Sequence, residues 1–199
     1  MARVGILAFG SLIGTPGAEI KAVEVTAERR RGVLTPFSVE FARSSAKRGG
    51  APTLVPYPNG KPVNVEIIVV EATAQLAKDA LWRRETDNLD SKDGYRERNN
   101  PGPNTLVIRT FENFDGLPLV LAAAFPANIH ELTPTALAEL AVRSARDRTV
   151  GAGRDGISYL IDAKAHGIIT PLSSDYEREV LRLCSATTLV DALAKLLGK

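Results

Sequence analysis

"VNVEIIVVEATAQLAKDALWRRETDNL", Val63 to Leu89, changes its hydrophobic period half-way along. From Val63 to Val70 apolar, β-branched residues are nearly continuous, the pattern of a central strand buried on both faces. From Thr73 the residues are good helix formers, and a threonine ahead of such a run predicts an N-cap. A buried strand running straight into a helix is the centre from which the rest of the chain is read.

Outward from this centre, strand signals recur at Val4–Ala8, Val23–Val25, Val33–Leu34, Ser38–Phe41 and Thr53–Val55. After the loop "DSKDGYRERNNPGPN", Asp90 to Asn104, they resume at Thr105–Thr110 and Pro118–Phe125, joined by "FENFDG" with the hairpin signal Asp115-Gly116. Helices are announced by Thr133 with Pro134 at the first helical position, by Ser174 and Glu177 at capping-box spacing, and by the terminal "LVDALAKLLGK". Hairpins outnumber strand–helix–strand units. The pattern predicts one α+β domain over residues 1–199, a curved, mainly antiparallel sheet with helices around it and a helical part from about residue 133.

Composition narrows the functional classes. The 199 residues are 44% hydrophobic and 24% charged, as in an ordinary globular protein. Lys plus Arg number 25 against 23 Asp plus Glu, a net charge of +2 that argues against the phosphate binding a nucleic acid requires. Cys184 is the only cysteine, so the expected setting is reducing and cytoplasmic, with the thiol buried on a helix. The apolar run behind Arg3 is broken by Gly10 and Ser11, which does not read as a secretion signal, and no stretch reaches the ~20 apolar residues of a membrane span.

Two features carry chemistry. The first is "VGILAFGSLIGTPG", Val4 to Gly17, where a strand meets closely spaced glycines. Gly10, Gly14 and Gly17 lack G-x-G-x-x-G spacing, and the following "AEIKAVEVTAERRRGVL" is too short and polar for a crossover helix and second strand, so a dinucleotide-dependent oxidoreductase ranks last. Two readings stay open: backbone N–H groups near Gly10 and Ser11 facing a carboxylate or other anion, or a plain glycine turn.

The second is Glu85. With Thr73 as cap, Ala77, Leu81 and Glu85 form one i, i+4 row whose small and apolar members face the core. A carboxylate withdrawn from water holds a proton more readily, which suits acid–base work; an ion pair with Arg84, Arg83 or Lys78 and simple fraying near the helix end are the alternatives. His130 and His166, with one cysteine, give no zinc-ligand spacing and no Ser-His-Asp series, so no metal or cofactor is expected. Arg29–Arg31 and the pair Lys47, Arg48 read as solvated surface charge.

Taken in order, these segments resemble the γ-glutamyl cyclotransferase-like family, which includes ChaC-type and AIG2-like proteins. "LAFGSL" at Leu7–Leu12 is similar to its [YF]-G-S-[NL] motif, "RGVLTPFSVEFARSSAKRGGAPTLVP" to its strand–loop–strand region, and "VNVEIIVVEAT" to its central strand. "LWRRETDN" sets Glu85 at the family's catalytic glutamate, and "GYRER" sets Tyr95 in a comparable downstream position. The likeness covers roughly Arg3 to Phe125 and is faint beyond, where "DGISYLIDAKAHGI" only suggests the ChaC-type tail. It implies a small mixed, mainly antiparallel β-barrel flanked by helices, with the site at one mouth.

On that resemblance Phe9, Gly10, Ser11 and Leu12 bind the substrate through backbone N–H groups, Tyr95 assists, and Glu85 shuttles the proton. The implied partner is a small γ-glutamyl amine, amino acid or peptide, cyclised to 5-oxoproline without cofactor; nucleic acid and membrane are not expected, and a homo-oligomer is left open. Phe9 stands where many members have Tyr, and Thr86 follows Glu85 where many have Gly. Those departures keep a second reading in view, a non-catalytic binding module for carboxylate-bearing small molecules.

Overall fold

A computed structural model describes residues 2–89 and 91–198. The chain divides into two compact units, Met1–Thr35 with Asn64–Pro126 and Pro36–Val63 with Ala127–Lys199.

In the first unit the strands are β1 (Arg3–Ala8), β2 (Arg30–Leu34), β5 (Asn64–Glu71), β6 (Val107–Phe114) and β7 (Leu117–Ala124). They form one five-stranded sheet in the order β2-β5-β1-β7-β6, antiparallel except where β1 lies parallel to β7. The run read as buried on both faces is so: Ile67, Ile68, Val69 and Val70 are all 0% exposed, and β5 pairs with β2 on one side and β1 on the other. Each such side chain contributes ~1.5–3 kcal/mol of transfer free energy. Gly5 admits those neighbours, since a Cβ there would meet Ile67, Leu117 and Val120 side-chain carbons at 2.8–2.9 Å.

Helices α1 (Ser11–Gly14), α2 (Ala18–Val23) and α3 (Ala74–Thr86) complete this unit. Thr73 caps α3 as expected, its hydroxyl accepting from Leu76 N–H at 3.2 Å, and α3 packs on β1 and β7. The β6–β7 connection is the two-residue turn Asp115-Gly116, both at positive φ (50° and 70°), and Phe114 pairs with Leu117. That geometry matches the strands' twist, so "FENF" belongs to β6 rather than to a loop. Val23–Val25 is not a strand: α2 runs through Val23, leaving Glu24 a single bridge to Val70.

Arg30 on edge strand β2 hydrogen-bonds Asp115 in the hairpin turn next to the opposite edge at 2.9 Å. Contact between the two sides of the sheet requires it to curl. Among the described residues β2 and β6 do not pair, so the sheet is open rather than a closed barrel. The fold is α+β, with a mostly antiparallel sheet and helices.

The second unit holds the hairpin β3 (Val39–Ser45) and β4 (Ala51–Pro56) with helices α4 (Pro134–Arg146), α5 (Gly156–Ala165), α6 (Ser173–Cys184) and α7 (Leu189–Leu197). Phe41, fully buried on β3, meets Tyr159 and Tyr176 edge-on at centroid distances of 6.4 and 5.3 Å. Glu40 beside it is 1% exposed, its two carboxylate oxygens accepting from Phe41 N–H and Leu172 N–H.

Thr133 caps α4 as read, but α6 begins at Ser173 and has no capping box at Ser174. Glu177, assigned to that box, instead receives both bonds from Lys164 at 2.6 and 2.8 Å. Cys184 ends α6 half-buried, and burial pushes its thiol pKa up.

Candidate active site

β1 delivers the chain to Gly10, whose φ of 59° and ψ of −138° only glycine adopts without strain. The backbone therefore turns sharply into α1. Being only four residues long, this helix rules out the crossover helix of a dinucleotide fold. Its first N–H groups, at Ser11 and Leu12, have no intrahelical acceptor. Leu12 is 4% exposed and Ile13 5%, so their side chains anchor the turn in the core while Ser11 is half-buried at its rim. Phe9 is also half-buried.

The last turn of α3 carries Arg83, Arg84 and Glu85, and each has a different task. Arg84 forks onto the Thr15 carbonyl with Nε at 3.0 Å and Nη2 at 2.8 Å. The same Nη2 reaches Ser11 Oγ at 3.2 Å, and Nη1 donates to Glu85 Oε1 at 2.6 Å. One guanidinium thus connects the glycine turn to Glu85, although Ser11 and Arg84 lie 73 residues apart in the chain. Gly17, at φ 89°, leaves room for it, since a Cβ there would stand 3.1 Å from Arg84 Cγ.

Glu85 keeps about a fifth of its side-chain surface exposed. Its Oε1 is held by Arg84, while Oε2 has no hydrogen-bond partner among the described residues. The arrangement holds one carboxylate oxygen fixed and presents the other. Chemically that suits a proton carrier, with a positive charge beside it toward a turn whose N–H groups are open.

Arg83 is a structural clamp. It pairs bidentately with Glu19 of α2 at 2.7 and 2.5 Å and donates to the Asp93 carbonyl at 2.9 Å. The Arg83 hydrogen bond holds the Glu19 carboxyl below its usual range against a smaller opposing effect of burial. Arg29, read from sequence as solvated, is only 20% exposed: it donates a hydrogen bond to the Ile13 carbonyl at 2.9 Å and forms an ion pair with Glu66 at 3.0 Å, tying α1 to the sheet. Arg30 is paired with Asp115, and Arg31, although 3.3 Å from Glu66, keeps 78% of its side chain exposed, so of the three it alone fits the solvated reading.

Of the loop 90–104, Asp90 lies outside the described residues. Tyr95 is 8% exposed, and its hydroxyl accepts from Ile108 N–H at 3.1 Å. Its own N–H donates to Asp79 Oδ1 at 2.8 Å, and its carbonyl accepts from Gln75 at 3.1 Å. The loop backbone lies so close to α3 that a Cβ on Gly94 would stand 2.6 Å from Asp79 Oδ1. Tyr95 therefore braces the loop between α3 and β6, and no hydrogen bond joins it to Glu85 among the described residues.

The structure thus brings Gly10, Ser11 and Glu85 together through Arg84 and sets Tyr95 apart. Sequence reasoning reached Arg84 only as a partner of Glu85, not as the link to Ser11 and Thr15. A loop carbonyl as acceptor leaves no trace in residue type. Among the described residues no group of three His, Cys, Asp or Glu side chains could hold a metal ion, and no helix is long and apolar enough to cross a membrane. No protein-family model matches this chain, and no curated protein sequence matches it.

Proposed function

We propose that this protein is a γ-glutamyl cyclotransferase-like enzyme that converts the γ-glutamyl group of a small γ-glutamyl compound to 5-oxoproline and releases the amine. The observation that carries the reading is the hydrogen-bonded chain Ser11–Arg84–Glu85, which joins the glycine turn to a carboxylate with one oxygen still available. We read the curled sheet beneath it as the barrel-like core of that family.

In this mechanism the substrate's α-carboxylate sits at the Gly10–Leu12 turn, where the N–H groups and the Arg84 charge favour an anion. Its neutral α-amine attacks its own γ-carbonyl carbon, forming the ring C–N bond. Glu85 Oε2 takes the proton that the attacking nitrogen loses, then gives it to the departing nitrogen as the old C–N bond breaks. Nucleophile and electrophile belong to one molecule, so folding the substrate supplies the proximity advantage, and proton transfer adds ~10²–10⁴-fold.

The Arg84–Glu85 ion pair also supports a second reading, a binding module for carboxylate-bearing molecules in which Glu85 only orients Arg84. A panel of γ-glutamyl amines, amino acids and peptides, assayed for 5-oxoproline, separates the two. Release from at least one member is expected; saturable calorimetric binding of a γ-glutamyl compound without product would favour the module.

A further inference from the structure

The net charge of +2 hides an uneven distribution. Arginines over much of the surface face a carboxylate: Arg30 meets Asp115 at 2.9 Å, Arg178 meets Asp175 at 2.8 Å and Arg182 meets Glu179 at 2.9 Å. The second unit holds an exception. Its α4–α5 connection, "RDRTVGAGRD" from Arg146 to Asp155, carries Arg146, Arg148 and Arg154, all exposed and none with a guanidinium hydrogen bond or ion pair among the described residues.

Both acids of that connection are occupied locally. Asp147 Oδ1 accepts from the Thr149 N–H at 2.9 Å and from its hydroxyl at 2.7 Å. Asp155, 7% exposed, caps α5 by accepting from the Ile157 and Ser158 N–H groups, both at 2.9 Å. That cap fills the helix N-terminus, so Gly151 and Gly153 do not make a phosphate loop there.

The connection is clasped to the β3–β4 turn of the same unit, which adds Lys47 and Arg48. Arg48 Nη1 donates to the Arg154 carbonyl at 3.1 Å, and its guanidinium carbon lies 5.0 Å from the centre of the Tyr159 ring. A Cβ on Gly49 would stand 2.6 Å from Val150 Cγ2, so the two segments meet closely. Five cations therefore share one surface, and Asp147 is the exposed carboxylate among them.

Arginine's planar fork suits phosphate and carboxylate alike, so the surroundings choose between partners. Among the described residues no large exposed apolar side chain lies in either segment. A protein partner is met through an apolar core, and lasting attachment to a bilayer takes an apolar anchor besides basic charge. Tyr159 is 6% exposed beneath Arg48 and has no open face on which an unpaired base could stack. Charge alone holds a duplex, whose phosphates line its outside.

We infer that this surface docks on the phosphate backbone of a nucleic acid duplex without reading its sequence. A small chain-averaged charge argues against nucleic acid only where charge is spread evenly. None of these residues belongs to the Gly10–Glu85 site, so the docking does not depend on the cyclotransferase reading.

Fluorescence anisotropy of a labelled DNA duplex about two helical turns long, titrated at ~50 mM and ~200 mM salt, tests it. Its single strand and vesicles of phosphatidylcholine with phosphatidylserine are titrated alongside. The proteins are the wild type, R146Q/R148Q/R154Q, and a matched control, R3Q/R178Q/R182Q, which removes the same charge from exposed, ion-paired arginines. Circular dichroism shows that all three are folded. Expected are tighter binding of duplex than of single strand, a steep loss with salt, at least tenfold weaker binding by R146Q/R148Q/R154Q with a salt slope shallower by about 2–3 units, and a control close to the wild type.

No duplex binding at ~50 mM salt overturns the inference. Equal losses in the two triple variants overturn it too, because net charge alone then accounts for the binding. Single strand bound as tightly as duplex overturns the duplex assignment, and vesicle binding that R146Q/R148Q/R154Q abolishes, without duplex binding, replaces the nucleic acid with a lipid surface.

Discussion

At the scale of the residue, Arg84 is decisive because, among the described residues, it alone bonds both the glycine turn and Glu85. Arg84→Gln should raise KM at least tenfold for any γ-glutamyl substrate and lower kcat less, because it removes the charge facing the turn and leaves the Glu85 carboxyl in place; steady-state kinetics checks this split. The Glu19–Arg83 pair gives a pH signature. Glu19 is depressed by Arg83 in the folded chain, so its contribution to stability is present above the ordinary carboxylate range and is lost as pH falls through the depressed value. Because Glu19 is 39% exposed, solvent screening limits the effect to less than ~1 kcal/mol. Wild-type protein should therefore outlast Glu19→Gln in thermal melts at pH 7, and the two curves should converge on acidification. Glu85 was legible in the sequence because it continues the row Ala77, Leu81 on a helix with a clear cap. Arg83 and Glu19 were not, since a pair separated by 64 residues has no local signature.

Elements were legible wherever one local signal agreed with burial. The strand of β5, the caps of α3 and α4, and the Asp115-Gly116 hairpin all formed as read, each from a residue type that its geometry demands. Errors arose where two local signals competed. Val23–Val25 is β-branched, yet α2 takes Val23, and Ser174 has a capping spacing that loses to a start at Ser173. Thr73→Ala should cost ~1 kcal/mol in chemical denaturation, through the lost bond to Leu76 N–H, and should loosen the helix end that carries Glu85. Gly10→Ala should cost ~1–3 kcal/mol by forcing a side chain into φ 59°, and should impair substrate binding because the turn re-aims its N–H groups.

For the whole molecule, neither compact unit is continuous in sequence: residues 36–63 interrupt the first, and the helices that complete the second arrive only after residue 126. A chain ending at residue 126 would keep the β3–β4 hairpin without α4–α7, exposing Phe41 and leaving Glu40 without its Leu172 donor. Such a truncation should bind a hydrophobic dye and lose cooperative unfolding. Composition and strand–helix order gave the α+β class, but the open edges of the sheet depend on long-range curvature that no short segment encodes. What the molecule as a whole achieves, on this account, is to hold one proton-carrying carboxylate across from a glycine turn. The most direct measurement is 5-oxoproline release by wild-type protein and Glu85→Gln under identical conditions, with circular dichroism to show that both are folded. The account predicts turnover by the wild type and a loss of ~10²–10⁴-fold in kcat for the variant; equal turnover by the two proteins would contradict it.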